Sequence, residues 1–354
     1  MPVLKTEDLI DNRIGALRQA HMAARTPRAE LDLSGGIDSA VMACLLVEAL
    51  GPNNVTLVHT NLSTSSEQTQ RAQALAQALD CPFINGQFSG IYNSILDELL
   101  RSLGTAGYDQ KIIQDRIVLD PTILGSIRST LRAPLGRAYN RLNGGGLRHG
   151  TGNECEDRYL RFYQKGGDGE VDSNPLAMLS KGEVYQLAVA LGKDIGPKVE
   201  EALRPIIEAI PSPDLWGTGD GHSDETELLS WTGAPFTYSR VNPETGEYTY
   251  VGTIERVSRF LDTPKDNILA PILFNPEVQD LTQQLGVDIN SLIRDAPETN
   301  AFKGFDPEDV KVLLKGAIKA EYQTRHKVNP NIPTYGTRRE LLDVGILTNE
   351  LPVL

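Results

Sequence analysis

The chain has 354 residues, 40% hydrophobic and 23% charged, enough apolar sequence for a sizeable core in one large domain or two ordinary ones. Its 34 lysines and arginines stand against 47 acidic residues, a formal charge of −13, which argues against a duplex-coating nucleic-acid binder because neutralising phosphates needs a basic face. The three cysteines, Cys44, Cys81 and Cys155, lack the tight spacing of a disulfide framework or a zinc site. The N-terminal stretch lacks the apolar core of a signal peptide and no run of about 18 apolar residues occurs, so a reducing, cytoplasmic setting without membrane contact is expected.

In chain order, residues 6 to 24 place Leu9, Ile10, Ile14, Leu17 and Ala20 at helical spacing. A short apolar run, Ala29 to Leu33, reads as a strand and ends in Ser34-Gly35-Gly36. A helix follows from Asp38 to Leu50, stopped by Gly51-Pro52. Val55 to His59 reads as a buried strand, 66 to 79 as a helix, Pro82 to Ile84 as a short strand and Ile91 to Leu103 as another helix. This alternation predicts an α/β fold, a doubly wound parallel sheet with helices on both faces. Residues 123 to 142 read as a long helix that Pro134 should kink or break, and Gly144-Gly145-Gly146 leads into a strand at Leu147 to His149. Helices are expected at 181 to 192, 197 to 209, 254 to 262 and 306 to 323. Residues 235 to 253 alternate around Asn242-Pro243-Glu244-Thr245-Gly246, a β-hairpin insertion. Domain limits of 1–265, with that insertion, and 266–354, a C-terminal helical extension, are expected, the last 20 residues forming a partly ordered tail.

The strongest local signal is Leu33-Ser34-Gly35-Gly36-Ile37-Asp38-Ser39 between a strand and a helix. Two glycines let the backbone bring N–H groups close to a ligand, and the helix start favours an anion. Ser34 and Ser39 add hydroxyls. Asp38 would repel a phosphate unless a cation intervenes, so it is a natural Mg²⁺ ligand. The loop is neither a Walker A motif nor a Rossmann GxGxxG.

SGGIDS resembles the pyrophosphate loop of the N-type ATP pyrophosphatases, which have the adenine nucleotide alpha-hydrolase-like fold. Within that group, four later segments resemble NAD synthases in order and spacing: Leu62-Ser63-Thr64-Ser65-Ser66-Glu67; Gly150-Thr151-Gly152-Asn153-Glu154-Cys155-Glu156; Lys165-Gly166-Gly167-Asp168-Gly169 with Asn174-Pro175-Leu176 and Ser180-Lys181; and Pro211-Ser212-Pro213-Asp214-Leu215 with Ser223-Asp224-Glu225. A late His326-Lys327 is similar to the family's C-terminal pair. The resemblance implies an ATP-dependent amide ligase that adenylates deamido-NAD and lets ammonia displace AMP, with ATP and Mg²⁺ as cosubstrate and metal. It implies ATP contacts from Leu33 through Ser39 and from Leu62, Thr151, Lys181 and Ser212. It places Mg²⁺ on Asp38 and Glu156, catalysis on Asp38 and Lys181, and the dinucleotide acid near Arg128, Arg132, Lys165, Asp168, His326 and Lys327.

The residues also admit plainer readings. Glu156 could be a first-turn helix acid, Lys181 a solvated helix-start lysine, Thr151 a loop cap, Asp168 a turn residue and His326-Lys327 a cationic helix end. The pattern departs from the family at Ser126 to Arg132 and at Gln164 to Gly169, which leaves open a different acid as acceptor. Only about 30 residues precede the loop strand, so free ammonia, or ammonia from a separate glutaminase, is the expected nitrogen donor. The family resemblance further implies a homodimer, with 123 to 142 as the candidate contact.

Overall fold

The computed structural model describes residues 5–120, 122–164, 166–167, 169–212, 223–262, 294–324 and 338–351. Helix α1 (Thr6–Ala24) leads into β1 (Ala29–Asp32), α2 (Ile37–Leu50), β2 (Val55–Asn61), α3 (Ser66–Ala78) and β3 (Phe83–Gln87). Three helices, α4 (Ser89–Thr105), α5 (Gln110–Leu119) and α6 (Thr122–Leu142), then precede β4 (Leu147–His149). The four strands pair in parallel in the order β3-β2-β1-β4. Parallel neighbours need crossovers of a dozen residues or so, and helices supply them. The chain continues through α7 (Lys181–Ile195), α8 (Pro197–Glu208), α9 (Asp224–Thr232), an antiparallel hairpin of β5 (Arg240–Val241) and β6 (Tyr248–Tyr250), α10 (Thr253–Asp262), α11 (Pro307–Thr324) and α12 (Arg338–Asp343).

The two faces of the sheet differ in chemistry. Leu31 pairs with Leu57, and both enter an apolar core with α1, α2, α7 and α8. Alternation sends Glu30 to the opposite face, beside Thr56 and Arg148. There Arg148 Nη1 donates to the Ala133 carbonyl of α6 at 2.9 Å, and Asn143 donates to Thr56 at 2.8 Å. A parallel sheet covered on both sides usually reads as a continuous apolar run. The run expected at Ala29 to Leu33 is instead apolar on one face only. Glu30 is buried with its carboxylate 3.7 Å from Arg148, and burial lifts its pKa to about 7.

Two expectations need revising, and one helix is unanticipated. Helix α6 runs through Pro134 without interruption. Pro134 and Thr130, whose carbonyl it leaves without an amide partner, both lie on the exposed side, open to solvent. Helix α5 falls between the expected helices at 91–103 and 123–142, where no element is assigned from the sequence; its start is fixed by Asp109, whose side chain accepts from the amides of Lys111 and Ile112. The described part of the expected tail is docked: Leu341 and Leu347 join the first core and Arg338 is buried.

A second core joins the 155–160 turn, α9, α10 and α11 through Phe236, Tyr238, Phe260, Phe302, Val310 and Leu313. It backs directly onto the loops described next. Among the described residues no helix is long and apolar enough to cross a membrane.

Candidate active site

In this strand order the chain moves from β1 out to β2 and β3, then returns to place β4 on the other side of β1. The crevice beyond the carboxyl ends of β1 and β4 is therefore the topological switch point, where open α/β sheets bind ligands. An open cleft of about 220 Å³ lies there. Its lining includes Leu33, Ser34, Gly36, Ile37, Asp38 and Ser39 from the first loop and Thr151 and Glu156 from the second. Lys181, Ser212 and Arg132 also line it.

The glycine-rich loop is braced by its own hydroxyls. Ser34 and Ser39 lie 3.0 Å apart through their Oγ atoms, the Ser34 amide donates to Ser39 Oγ at 3.2 Å, and Ser39 Oγ donates to the Gly36 carbonyl at 3.0 Å. Gly35 sits at φ +88°, and a Cβ there would collide with the Gln68 carbonyl of α3. Gly36 is the N-cap of α2 and has no side-chain cap, so the first amides of that helix are free to meet an anion.

Asp38 stands in the first turn of α2, and Glu156 on a π-helical turn, Cys155–Leu160. Such turns recur at functional sites because they push one residue out of helical register. Asn153 links the two loops: its Oδ1 accepts from the Glu156 amide at 3.2 Å while its Nδ2 donates to Asp38 Oδ1 at 3.0 Å. Lys181 opens α7, whose start is fixed by a reciprocal capping box between Ser180 and Glu183. Its ammonium donates to Asp38 at 2.6 Å and to Glu156 at 2.8 Å, and lies 5.0 Å from the centre of the Tyr238 ring. Tyr238 also donates to Glu156 at 3.4 Å.

Lys181 is 3% exposed, which removes its reading as a solvated helix-start lysine. Burial opposes its charge, but Asp38, Glu156 and Asp224 outweigh burial and hold the ammonium pKa well above the ordinary range. Burial, with the charge of Asp38 added, pushes Glu156 up, against the pull of Lys181. Asp224, at the start of α9, is pushed to about 8, first by burial and then by Glu156, Glu227 and Asp38. Asp38 and Glu156 thus share one ammonium, and the raised pKa of nearby Asp224 reflects how costly further negative charge is there, a cost that a divalent cation would relieve.

The donor set fits Mg²⁺. It is all oxygen, and Asp38 and Glu156 lie close enough to share one ammonium. Among the described residues no three-residue His, Cys, Asp and Glu group forms a closed metal cage. Mg²⁺ is commonly held by one or two carboxylates with phosphate oxygens completing the shell, and the arrangement suits that mode rather than a protein-only one.

Some expected residues stand elsewhere. Gly35 faces α3 rather than the cleft, and Leu62 is buried at 1% exposure off its lining. Arg128, on α6 itself, is buried, its guanidinium 5.1 Å from the Tyr92 ring. Lys165, Asp168, His326 and Lys327 lie outside the described residues, as do Pro213, Asp214 and Leu215. Sequence reasoning gave no role to Asn153, Asp224 or Tyr238. The first two sit inside motifs already singled out, so their signal was present, whereas nothing local marks Tyr238. Cys155 is fully buried and its thiol pKa is raised by burial, as suits a packed residue rather than a nucleophile.

The fold and the crevice define an α/β protein whose glycine-rich, phosphate-type loop lies at the switch point of a parallel sheet. A family model described as NAD synthase matches residues 10–234. The NH(3)-dependent NAD(+) synthetase of Alkaliphilus oremlandii is 30% identical over 220 residues, covering 62% of this chain and 79% of that protein. The NH(3)-dependent NAD(+) synthetase of Methanocaldococcus jannaschii is 30% identical over 223 residues, covering 63% and 76%. Among solved structures, an NMN synthetase from Francisella tularensis superposes with a TM-score of 0.50 at 25% identity, covering 64% of this chain and 82% of that one. The chain belongs to the NAD synthase family.

Proposed function

We propose that the chain is an ammonia-dependent NAD synthase: ATP adenylates the carboxylate of deamido-NAD, and ammonia then displaces AMP, giving NAD, AMP and pyrophosphate. The observation that carries this reading is the meeting of Asp38, Glu156 and Lys181 beside the glycine-rich loop. The names of the relatives from Alkaliphilus and Methanocaldococcus support it.

A carboxylate is a poor electrophile, so it must first attack the α-phosphate, a step whose cost is charge on phosphate oxygens. The open amides at the start of α2 receive the pyrophosphate end, and Thr151 and Ser212 line the same cleft. Lys181, kept protonated by its acidic neighbours, supplies a fixed positive charge. Asp38 and Glu156 would hold Mg²⁺, which when bound neutralises charge on the phosphates. Arg132 lines the cleft and is assigned to the dinucleotide acid, with Arg128, Lys165, Asp168, His326 and Lys327 on motif grounds. No protein nucleophile is needed, because the substrate brings its own carboxylate; the work is positioning and electrostatics.

The test is incubation with ATP, Mg²⁺ and deamido-NAD, supplied with either ammonium or glutamine. AMP and NAD are expected in equal amounts with ammonium and only traces with glutamine. Efficient glutamine use would refute free ammonia as donor and remove the need for a separate glutaminase. AMP release with another acid, and none with deamido-NAD, would favour a ligase of altered acceptor.

The same reading places the enzyme in the cytoplasm, in keeping with three free cysteines, and makes residues 1–265 the ATP-handling unit with 266–354 as its extension. It also makes the protein a homodimer. The exposed hydrophobics of α4, Ile91, Leu99 and Leu103, and Ile112 on α5, are candidates for that contact. The expected contact residues on α6, Ile127, Leu131, Leu135 and Tyr139, are already half-buried within their own chain. A dimeric mass by light scattering is expected; a monomer at micromolar concentration would refute it.

A further inference from the structure

Directly behind the cleft lies a second charged cluster that the chemistry above does not use. Glu154, Glu183 and Glu255 meet Arg259 and Arg338, and each of these five side chains is at most 4% exposed. The two arginines grip the same two carboxylates. Arg259 donates to Glu154 at 3.3 Å and to Glu183 at 2.9 Å; Arg338 reaches Glu183 at 3.0 and 3.1 Å and lies 3.7 Å from Glu154. Among their neighbours, these guanidiniums depress the Glu183 carboxyl to about 2 despite its burial.

The gripped residues flank those that enter the cleft. Glu154 is two residues before Glu156, and its amide donates to the Leu179 carbonyl at 2.8 Å, tying the two loops together. Glu183 is two residues after Lys181 and accepts from the Ser180 amide at 2.8 Å, while Ser180 Oγ donates to Glu255 at 3.0 Å. The backbone on both sides of Lys181 and Glu156 is thus pinned to one ionic block. Buried ion pairs seldom add net stability over apolar packing of the same volume, so stability alone does not explain five charges here. What they add is fixed geometry.

Neither arginine lies within residues 10–234, the stretch that matches the family model. Arg259 stands on α10, and Arg338 opens α12. Arg338 is seated by its own segment, donating to the Thr348 carbonyl at 2.7 Å and to Asn349 at 3.2 Å. We propose that Arg338 and Arg259 are positioning residues for the ligase reaction: by fixing Glu154 and Glu183 they set where Glu156 and Lys181 meet the phosphates. This rests on the proposed function. The segment from 338 to 351 is then a working part of the site, although it never touches the cleft.

Arg338→Lys and Arg259→Lys keep the charge and lose the two-pronged geometry, so the carboxylates are not left unpaired. Each is expected to lower kcat for NAD formation by ~10- to 100-fold with KM for ATP within about threefold, and to raise the Mg²⁺ concentration for half-maximal rate. Arg339→Lys, on the exposed side of the same helix, is expected to match the parent. Calorimetric titration of ATP with and without Mg²⁺ supplies a readout independent of turnover: the gain in ATP affinity that Mg²⁺ confers should shrink in both variants. A purely structural role would lower the melting temperature and leave kcat per folded molecule and the Mg²⁺ dependence unchanged; that result in both variants overturns the proposal. If the parent makes no NAD, the functional reading fails, and the calorimetry still decides the positioning role.

Discussion

Asp38→Asn is expected to cut pyrophosphate release by about 1,000-fold or more while the fold survives. The amide is isosteric with the carboxylate, and Asp38 Oδ1 already accepts from Asn153, a bond that an amide oxygen also accepts. What disappears is one of the two charges that hold the Lys181 ammonium at 2.6 and 2.8 Å and, in the proposed reaction, one of two oxygen ligands for Mg²⁺. Losing a single preorganised electrostatic group costs about 100- to 1,000-fold in comparable sites, and here metal and lysine placement fail together. Pyrophosphate release, with the melting temperature measured alongside, checks both halves of the statement. Near-normal turnover would take Asp38 out of the metal role. A collapsed melting temperature would show that its bonds serve the fold.

Gly35→Ala should remove ATP binding through geometry alone. At φ +88° an L side chain costs on the order of 1–2 kcal/mol before any contact is counted. The new methyl would also press on the Gln68 carbonyl, which belongs to the α3 backbone and cannot rotate aside. Loop and helix must part, and the amides that would face phosphate turn with them. ATP affinity by calorimetry is expected to fall by about 100-fold or more, with the sheet intact by circular dichroism. Gly36→Ala is the control, because its nearest neighbour would be the Ser34 hydroxyl at 3.4 Å and its φ is −93°. Its effect should be much smaller. Equal losses at the two positions would mean that the loop responds to bulk in general and not to its close approach to α3.

Much of this enzyme can be read from short windows. Strand β1, the glycine pair and helix α2 lie within about two dozen residues, and each follows from local chemistry: a buried run, a turn that only glycine tolerates, and a helix with a free amide end. Alternation of strand and helix then forces a parallel sheet, since short turns cannot connect parallel neighbours. Helix α5 was missed because its ten residues expose nearly everything and carry little periodicity, the signal lying in the Asp109 cap instead. The polar face under α6 was missed because Glu30 gains its partner from β4, 118 residues away (148 − 30).

By itself the sequence determined the sheet-and-helix class, the glycine-rich loop and the set of motif residues, because each depends on groups a few positions apart. Only the tertiary structure decided how those residues combine. Lys181 meets Asp38 across 143 positions and Glu156 across 25, Tyr238 comes to lie beside that ammonium, and Arg338 returns from the far end of the chain to brace it from behind. Chain entropy makes such long-range meetings costly, and they persist here because two cores bury the elements that carry them. No local pattern records which buried charges those cores will bring face to face.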